Sequence, residues 1–168
     1  MNEALITNWN SVVPKKGTVY LLGDFAMVPK QADGTPRMKI YRSLRHRLNG
    51  KIYLCKGNHD KMSQDVYDLF TEVDGILEPK IDGEKIFLCH YPMLSWNGSI
   101  HGRPSYFGHV HGRLSEHPSR LSLDVGVDVP SWNYTPVSWE VLRKKTLEKE
   151  IIWKEYWFKY NQNKEQEV

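Results

Sequence analysis

The sequence predicts an α/β domain of stacked layers. Three observations carry that expectation. Segments with helical periodicity alternate with short apolar runs in the first half of the chain, and the second half is richer in strand-like runs. Four of the runs break off into Asp, Asn and His residues, as expected where strand ends of a sheet open toward a ligand.

Residues 2–13 read as a helix, because Leu5, Ile6, Trp9 and Val13 share one face; Asn2 is a candidate cap and Pro14-Lys15-Lys16-Gly17 ends the segment. Residues 18–22 are a short β-rich run that stops at Gly23-Asp24. Residues 31–36 read as loop. Residues 37–48 form a second helix with Met38, Tyr41, Leu44 and Leu48 inward and arginines on a solvated face, closed by Asn49-Gly50. A strand at 51–55 runs into Gly57-Asn58-His59-Asp60, and 65–70 reads as helix. Residues 76–80 and 85–89 flank Asp82-Gly83, a hairpin signal, and the second of them runs into His90-Tyr91-Pro92. A strand at 105–107 ends in Gly108-His109-Val110-His111-Gly112, and 121–127 alternates as one more strand. From Ser138 the pattern is helical, with Ile151, Ile152, Trp153, Tyr156, Trp157 and Phe158 among charges, and 161–168 is expected to be a frayed polar tail.

Composition sets the class. The chain has 168 residues and a mass of 19.7 kDa, enough for one domain that buries roughly 70% of its unfolded surface without staples. Hydrophobic residues are 40%, charged residues 26% and mean hydropathy is −0.57, so neither disorder nor a membrane span is expected. Met1-Asn2-Glu3-Ala4 has no basic or apolar leader character, and Cys55 and Cys89 make no disulfide framework; both point to a reducing, cytoplasmic setting. The two cysteines read as small buried hydrophobes. A net charge of +3 favours anionic ligands only mildly and does not indicate nucleic acid.

The strand-end residues are metal-ligand chemistry. His109 and His111, one residue apart, share a face on a strand, and on a loop Gly108 and Gly112 leave the backbone free to aim both. The carboxylate of Asp24 has two oxygens and can bridge two cations, and Asn58 offers a neutral carbonyl oxygen. A mixed N/O set suits Mn²⁺, Fe, Zn²⁺ or Ni²⁺ better than Ca²⁺ or Mg²⁺. His59 is the candidate non-ligand, a proton donor or oxyanion stabiliser, with Asp60 either orienting it or capping the next helix. Taken singly, each residue has a plainer role: Gly23-Asp24 as a turn, Asn58 as a cap, His90 as a half-buried hydrogen-bonded side chain. Arg103 reads as a solvated loop residue or as a phosphate contact, His46 as solvated, and His117, before Pro118, as loop.

Gly23-Asp24, Gly57-Asn58-His59-Asp60, Cys89-His90-Tyr91-Pro92 and Gly108-His109-Val110-His111-Gly112, in that order, resemble the motifs of the calcineurin-like metallophosphoesterases. The similarity is greatest to the small single-domain bacterial and phage type, supported by Leu22-Gly23-Asp24-Phe25-Ala26 and Val125-Gly126-Val127-Asp128, and covers about residues 1–145. It implies a sandwich of two mixed sheets with flanking helices, residues 146–168 being an added amphipathic helix and tail. It also implies a dinuclear-type site at which metal-activated water hydrolyses a phosphodiester or phosphomonoester, a small molecule or nucleotide. Asp24 would bridge the metals, Asn58, His90 and His109 would complete one site, His111 would serve the other, and His59 would act on the leaving group or transition state. The family opens with a strand ending in Asp-x-His, and this chain contains no Asp-x-His. The expectation is therefore a first strand missing, one metal site complete and the other reduced to Asp24 and His111. Either the start lies within a longer protein, or a short form hydrolyses weakly or not at all. The competing expectation is a catalytically impaired metal-binding or interaction module, whose tail residues Trp153, Trp157 and Phe158 dock a partner or second copy. The plainer reading of that tail is a helix covering its own sheet.

Overall fold

The computed structural model describes residues 2–29, 36–115 and 117–166. The strand β2 (Lys51–Cys55) shows how sequence alternation builds the layers. Ile52 and Leu54 point to one face, where they pack with Trp9, Val13 and Phe70, and Cys55 points to the other. The strand β1 (Thr18–Leu21) alternates in step, with Val19 and Leu21 on the first side and Tyr20 on the second. β1 pairs parallel with β2, and β2 pairs parallel with β3 (Glu72–Asp74), giving a sheet of order β1-β2-β3. Parallel neighbours need crossovers. Helix α2 (Arg37–Arg47) lies between β1 and β2 in the chain, and the short helix α3 (Gln64–Tyr67) between β2 and β3.

The second sheet has the order β4-β7-β8-β9, from β4 (Ile76–Leu77), β7 (Phe87–Cys89), β8 (Ser105–Phe107) and β9 (Ser122–Asp124). β4 runs antiparallel to β7, and β7, β8 and β9 run parallel. Leu77, Leu88 and Tyr106 of this sheet meet Tyr20, Tyr53 and Cys55 of the first in one shared core, while Phe87 and Cys89 face the other way onto Trp96. The molecule is thus a mixed α/β structure with two sheets that share a core. A small antiparallel pair, β5 (Lys80–Ile81) with β6 (Glu84–Lys85), turns at Asp82-Gly83, where φ is +48° and +88°. Two successive positive φ values are those of a type I′ turn, the geometry the Asp-Gly pair predicts.

Helix α1 (Asn2–Val12) lays Trp9 on the first sheet, with Val13 just beyond its end. It is held over the approach to β2 by hydrogen bonds from Asn10 Nδ2 to the Arg47 carbonyl, from Asn49 N–H to Asn10 Oδ1 and from Asn49 Nδ2 to the Val13 carbonyl. The cap expected at Asn2 concerns a side chain outside the described residues. Helix α4 (Trp139–Gln166) runs unbroken through residue 145. Its Leu142 enters the shared core, its Thr146 Oγ1 lies 2.8 Å from the Tyr106 hydroxyl, and Trp153 is buried near Gly102. Among the described residues no helix is long and apolar enough to cross a membrane.

Several expectations shift. The strand expected over 121–127 stops at Asp124, because the Asp124 carboxylate accepts the N–H of Gly126 and turns the chain. The hairpin arms are broken into β4/β5 and β6/β7. The helix expected over 65–70 ends at Tyr67 and tightens into i→i+3 bonds through Phe70. The expected frayed tail is helical as far as Gln166, with 167–168 outside the described residues, as are 31–35 of the expected loop. The left-handed residue beyond α2 is Gly50, while the cap Leu48 is extended. Arg37, Arg42 and Arg47 of α2 are exposed as expected, Arg42 and Arg47 in surface pairs with Asp65 and Glu3, whereas Arg45 is partly buried and donates to the carbonyls of Leu69, Leu48 and Gly50.

Candidate metal centre

Four chain segments leave their sheets at the carboxyl ends of β1, β2, β7 and β8. They carry Asp24, Asn58, His90 and His109, and these residues meet. His90 is the centre of the group and only 1% exposed. Its Nδ1 lies 2.7 Å from the carbonyl of Leu22. A carbonyl only accepts, so Nδ1 is the donor, and this bond selects the tautomer whose Nε2 presents a lone pair when the ring carries one proton. Around Nε2 stand Asn58 Oδ1 at 3.0 Å, His109 Nδ1 at 3.1 Å and Asp24 Oδ2 at 3.6 Å. Nε2, Asn58 Oδ1 and the Asp24 carboxylate offer only lone pairs to one another. What holds such atoms together must be positive, a proton or a metal ion. The ligating atoms of Asp24, His90 and His109 all lie within 4.8 Å of one another, and this group can hold a metal ion. Two imidazoles, a carboxylate and an amide oxygen form a donor set suited to first-row transition ions.

The local backbone is shaped for this convergence. Asp24, His109 and His111 have φ of +52°, +67° and +53°, a left-handed region that Asp and His enter more readily than most residues. Gly23 and Gly57 permit the closest approach. A Cβ on Gly23 would stand 2.3 Å from His90 Nδ1, and one on Gly57 would stand 2.3 Å from Asp24 Oδ1. The His90 ring is wedged between two loops that only glycine lets touch. Tyr91 sets its ring edge-on to both His90 and His109, at 4.8 Å between centroids in each case.

Asp60, 5% exposed, neither orients His59 nor caps α3. Its Oδ2 accepts the N–H of Asp24 and of Gly57, and its Oδ1 accepts the N–H of Phe25, all at 2.8 Å. Burial pushes its carboxyl pKa up, against the pull of those three donors. Asp124 does similar work for the last motif, accepting the N–H of Gly112 at 2.8 Å and of Gly126 at 2.9 Å. The local half of each staple, Gly57 on Asp60 and Gly126 on Asp124, looks like an ordinary turn; the half that reaches Asp24, Phe25 or Gly112 is not legible from spacing.

His59 donates its backbone N–H to Asp24 Oδ1 at 2.9 Å, and its imidazole is exposed. His111 stands outside the group that can hold a metal; its Nδ1 lies 2.5 Å from Asp128 Oδ2. Val125-Gly126-Val127-Asp128 is a turn rather than a strand. Arg103 is not a solvated loop residue. Its side chain is largely buried, bonded to Glu78 at 3.0 Å and to the carbonyl of Asn97 at 3.2 Å. Cys55 and Cys89 are free and buried as expected, and burial pushes the Cys55 thiol up to about 12.

Fold and site together define an α/β protein with a candidate metal centre at the carboxyl ends of its strands. Over 148 residues the chain is 36% identical to the uncharacterized protein MJ1445 of Methanocaldococcus jannaschii, a match covering 86% of this chain and 74% of the relative. The chain belongs to the same family as that archaeal protein. No family model matches it. Its fold is similar to that of a protein of unknown function, AQ665 from Aquifex aeolicus, with a TM-score of 0.57 and 24% identity over 85% of this chain and 83% of that one. A novel archaeal phosphodiesterase has a TM-score of 0.45 and 20% identity over 74% of each chain, a likeness too slight to bear on fold or activity.

Proposed function

We propose that the chain is a metal-dependent phosphoester hydrolase of the calcineurin-like type. One observation carries the reading: residues of three phosphoesterase-like motifs bring oxygen and nitrogen atoms to within 3.0–3.6 Å of Nε2 of His90, which belongs to the fourth. Asp24, Asn58, His90 and His109 would hold the ion. A divalent ion there supplies Lewis acidity, acidifying water and withdrawing charge from a phosphoryl oxygen. The Leu22 carbonyl keeps His90 in the ligating tautomer. His59, fixed at the rim by its backbone bond to Asp24, would protonate the leaving-group oxygen as the P–O bond breaks. His111, oriented by Asp128, would steady a second ion or the substrate phosphate. The substrate class is a phosphoester small molecule or nucleotide.

The test is hydrolysis of a chromogenic phosphodiester in Mn²⁺. Activity is expected in the parent protein and lost in both His59→Ala and His90→Ala; activity indifferent to both substitutions overturns the mechanism. A second reading, an impaired metal-binding or interaction module, is favoured by one fact. Among the described residues, Asp24, His90 and His109 are the only such group of His, Cys, Asp and Glu side chains able to hold a metal. Elemental analysis separates the two. Two ions per chain with turnover support the hydrolase; one or none without turnover supports the module.

A further inference from the structure

We propose that Asp60 is a positioning residue that sets the spacing between the Asp24 and Asn58 ligands by clamping the backbones that carry them. This role rests on the reading that Asp24, Asn58, His90 and His109 bind a metal ion. Asp24 follows β1 and Asn58 follows β2, so the two donors ride on separate loops beyond neighbouring strands. Sheet pairing fixes those loops only as far as Leu21↔Leu54. Beyond that register something else must hold them. Asp60 does so with both oxygens, Oδ2 on the N–H of Asp24 and Gly57 and Oδ1 on the N–H of Phe25, all at 2.8 Å. Gly57 immediately precedes Asn58, so the clamp acts on the ligand-bearing peptides themselves.

The chemistry requires a carboxylate. Three donors converge on two acceptor oxygens, and an amide has only one oxygen. In Asp60→Asn the NH₂ group must face at least one backbone N–H, so one edge of the clamp opens while side-chain volume is kept. The Asp60 side chain makes its hydrogen bonds to backbone N–H groups and not to the donor atoms around His90 Nε2, so it acts through backbone position and through its charge beside Asp24; a change in donor geometry, read from the d–d bands, belongs to the first alone.

The experiment is a Co²⁺ titration of parent protein and Asp60→Asn, followed by visible absorption, with melting measured without metal. Asp60→Asn is expected to bind Co²⁺ about 10- to 100-fold more weakly, with altered d–d band intensities, because the donor geometry has moved. A folded Asp60→Asn protein with unchanged affinity and spectrum overturns the role. Amide hydrogen exchange of the metal-free parent gives a check that needs no variant: the N–H groups of Asp24, Phe25 and Gly57 are expected to exchange slowly. Fast exchange at all three overturns the clamp even where Asp60→Asn does not fold. A parent protein that binds no Co²⁺ overturns the metal reading and this role with it. That outcome differs from failure of the role alone, in which parent and variant bind equally.

Discussion

His90 and His111 both follow strands of the second sheet, and their surroundings differ in almost every respect. The His90 ring is enclosed by Gly23 and Gly57 and held by a backbone carbonyl. The His111 side chain is 55% exposed and held by the carboxylate of Asp128, itself 38% exposed. A backbone carbonyl in a packed wall cannot move away, whereas an exposed carboxylate can exchange its partner for water. His90 is thus preorganised by packing, whereas His111 is held only by an exposed hydrogen bond to a carboxylate, a contact of the kind worth about 0–1 kcal/mol.

The difference can be broken from its strong side first. His90→Ala removes a fully enclosed side chain and leaves the Leu22 carbonyl without its donor, so urea denaturation is expected to show a loss of about 2–4 kcal/mol. Mn²⁺ affinity by calorimetry is expected to fall more than about 100-fold in the same variant. A loss near zero would mean that the wedge is not tight. Gly57→Ala forces a methyl against Asp24 and the His90 ring; a loss of about 1–3 kcal/mol is expected, again with weakened Mn²⁺ binding. Asp128→Ala should cost less than about 1 kcal/mol and leave Mn²⁺ affinity at the four-donor site within about threefold. A larger effect would place His111 in the inner group and erase the contrast.

The smallest effect serves as a reference for exposed pairs. The Arg47 guanidinium, by hydrogen bond and then by charge, holds the Glu3 carboxyl below its ordinary range. A lowered folded-state pKa means a contribution present above the unfolded carboxylate value and lost as pH falls through the folded one. Glu3→Gln should therefore narrow the stability difference between neutral and acid pH slightly, measured by melting at each pH.

Much of this arrangement is legible in the sequence for a simple reason. Strand ends, Asp-Gly turns and Gly-flanked histidines are local signals, and the four ligand-bearing segments are local signals that happen to meet. β3 is not legible, because one apolar residue, Val73, between the charges of Glu72 and Asp74 is too short a pattern to register as a strand. Asp60 and Asp124 look like turn residues, since their true partners are N–H groups that every residue but proline has. Arg103 reads as surface because its burial depends on Glu78, 25 positions away. For Asp60 with Asp24 and Phe25, Asp124 with Gly112 and Arg103 with Glu78, the missing information is a distant partner that only the completed fold supplies.

The left-handed backbone at Asp24, His109 and His111 also limits what can replace them. Short polar residues tolerate that conformation, and they are the residues that can offer a donor atom from the same position. Asn at 24 keeps both backbone and an oxygen, whereas Glu keeps the charge on a longer arm less at home there. Drift or redesign at these positions is therefore confined to a few side chains, chosen as much by main-chain torsion as by coordination chemistry.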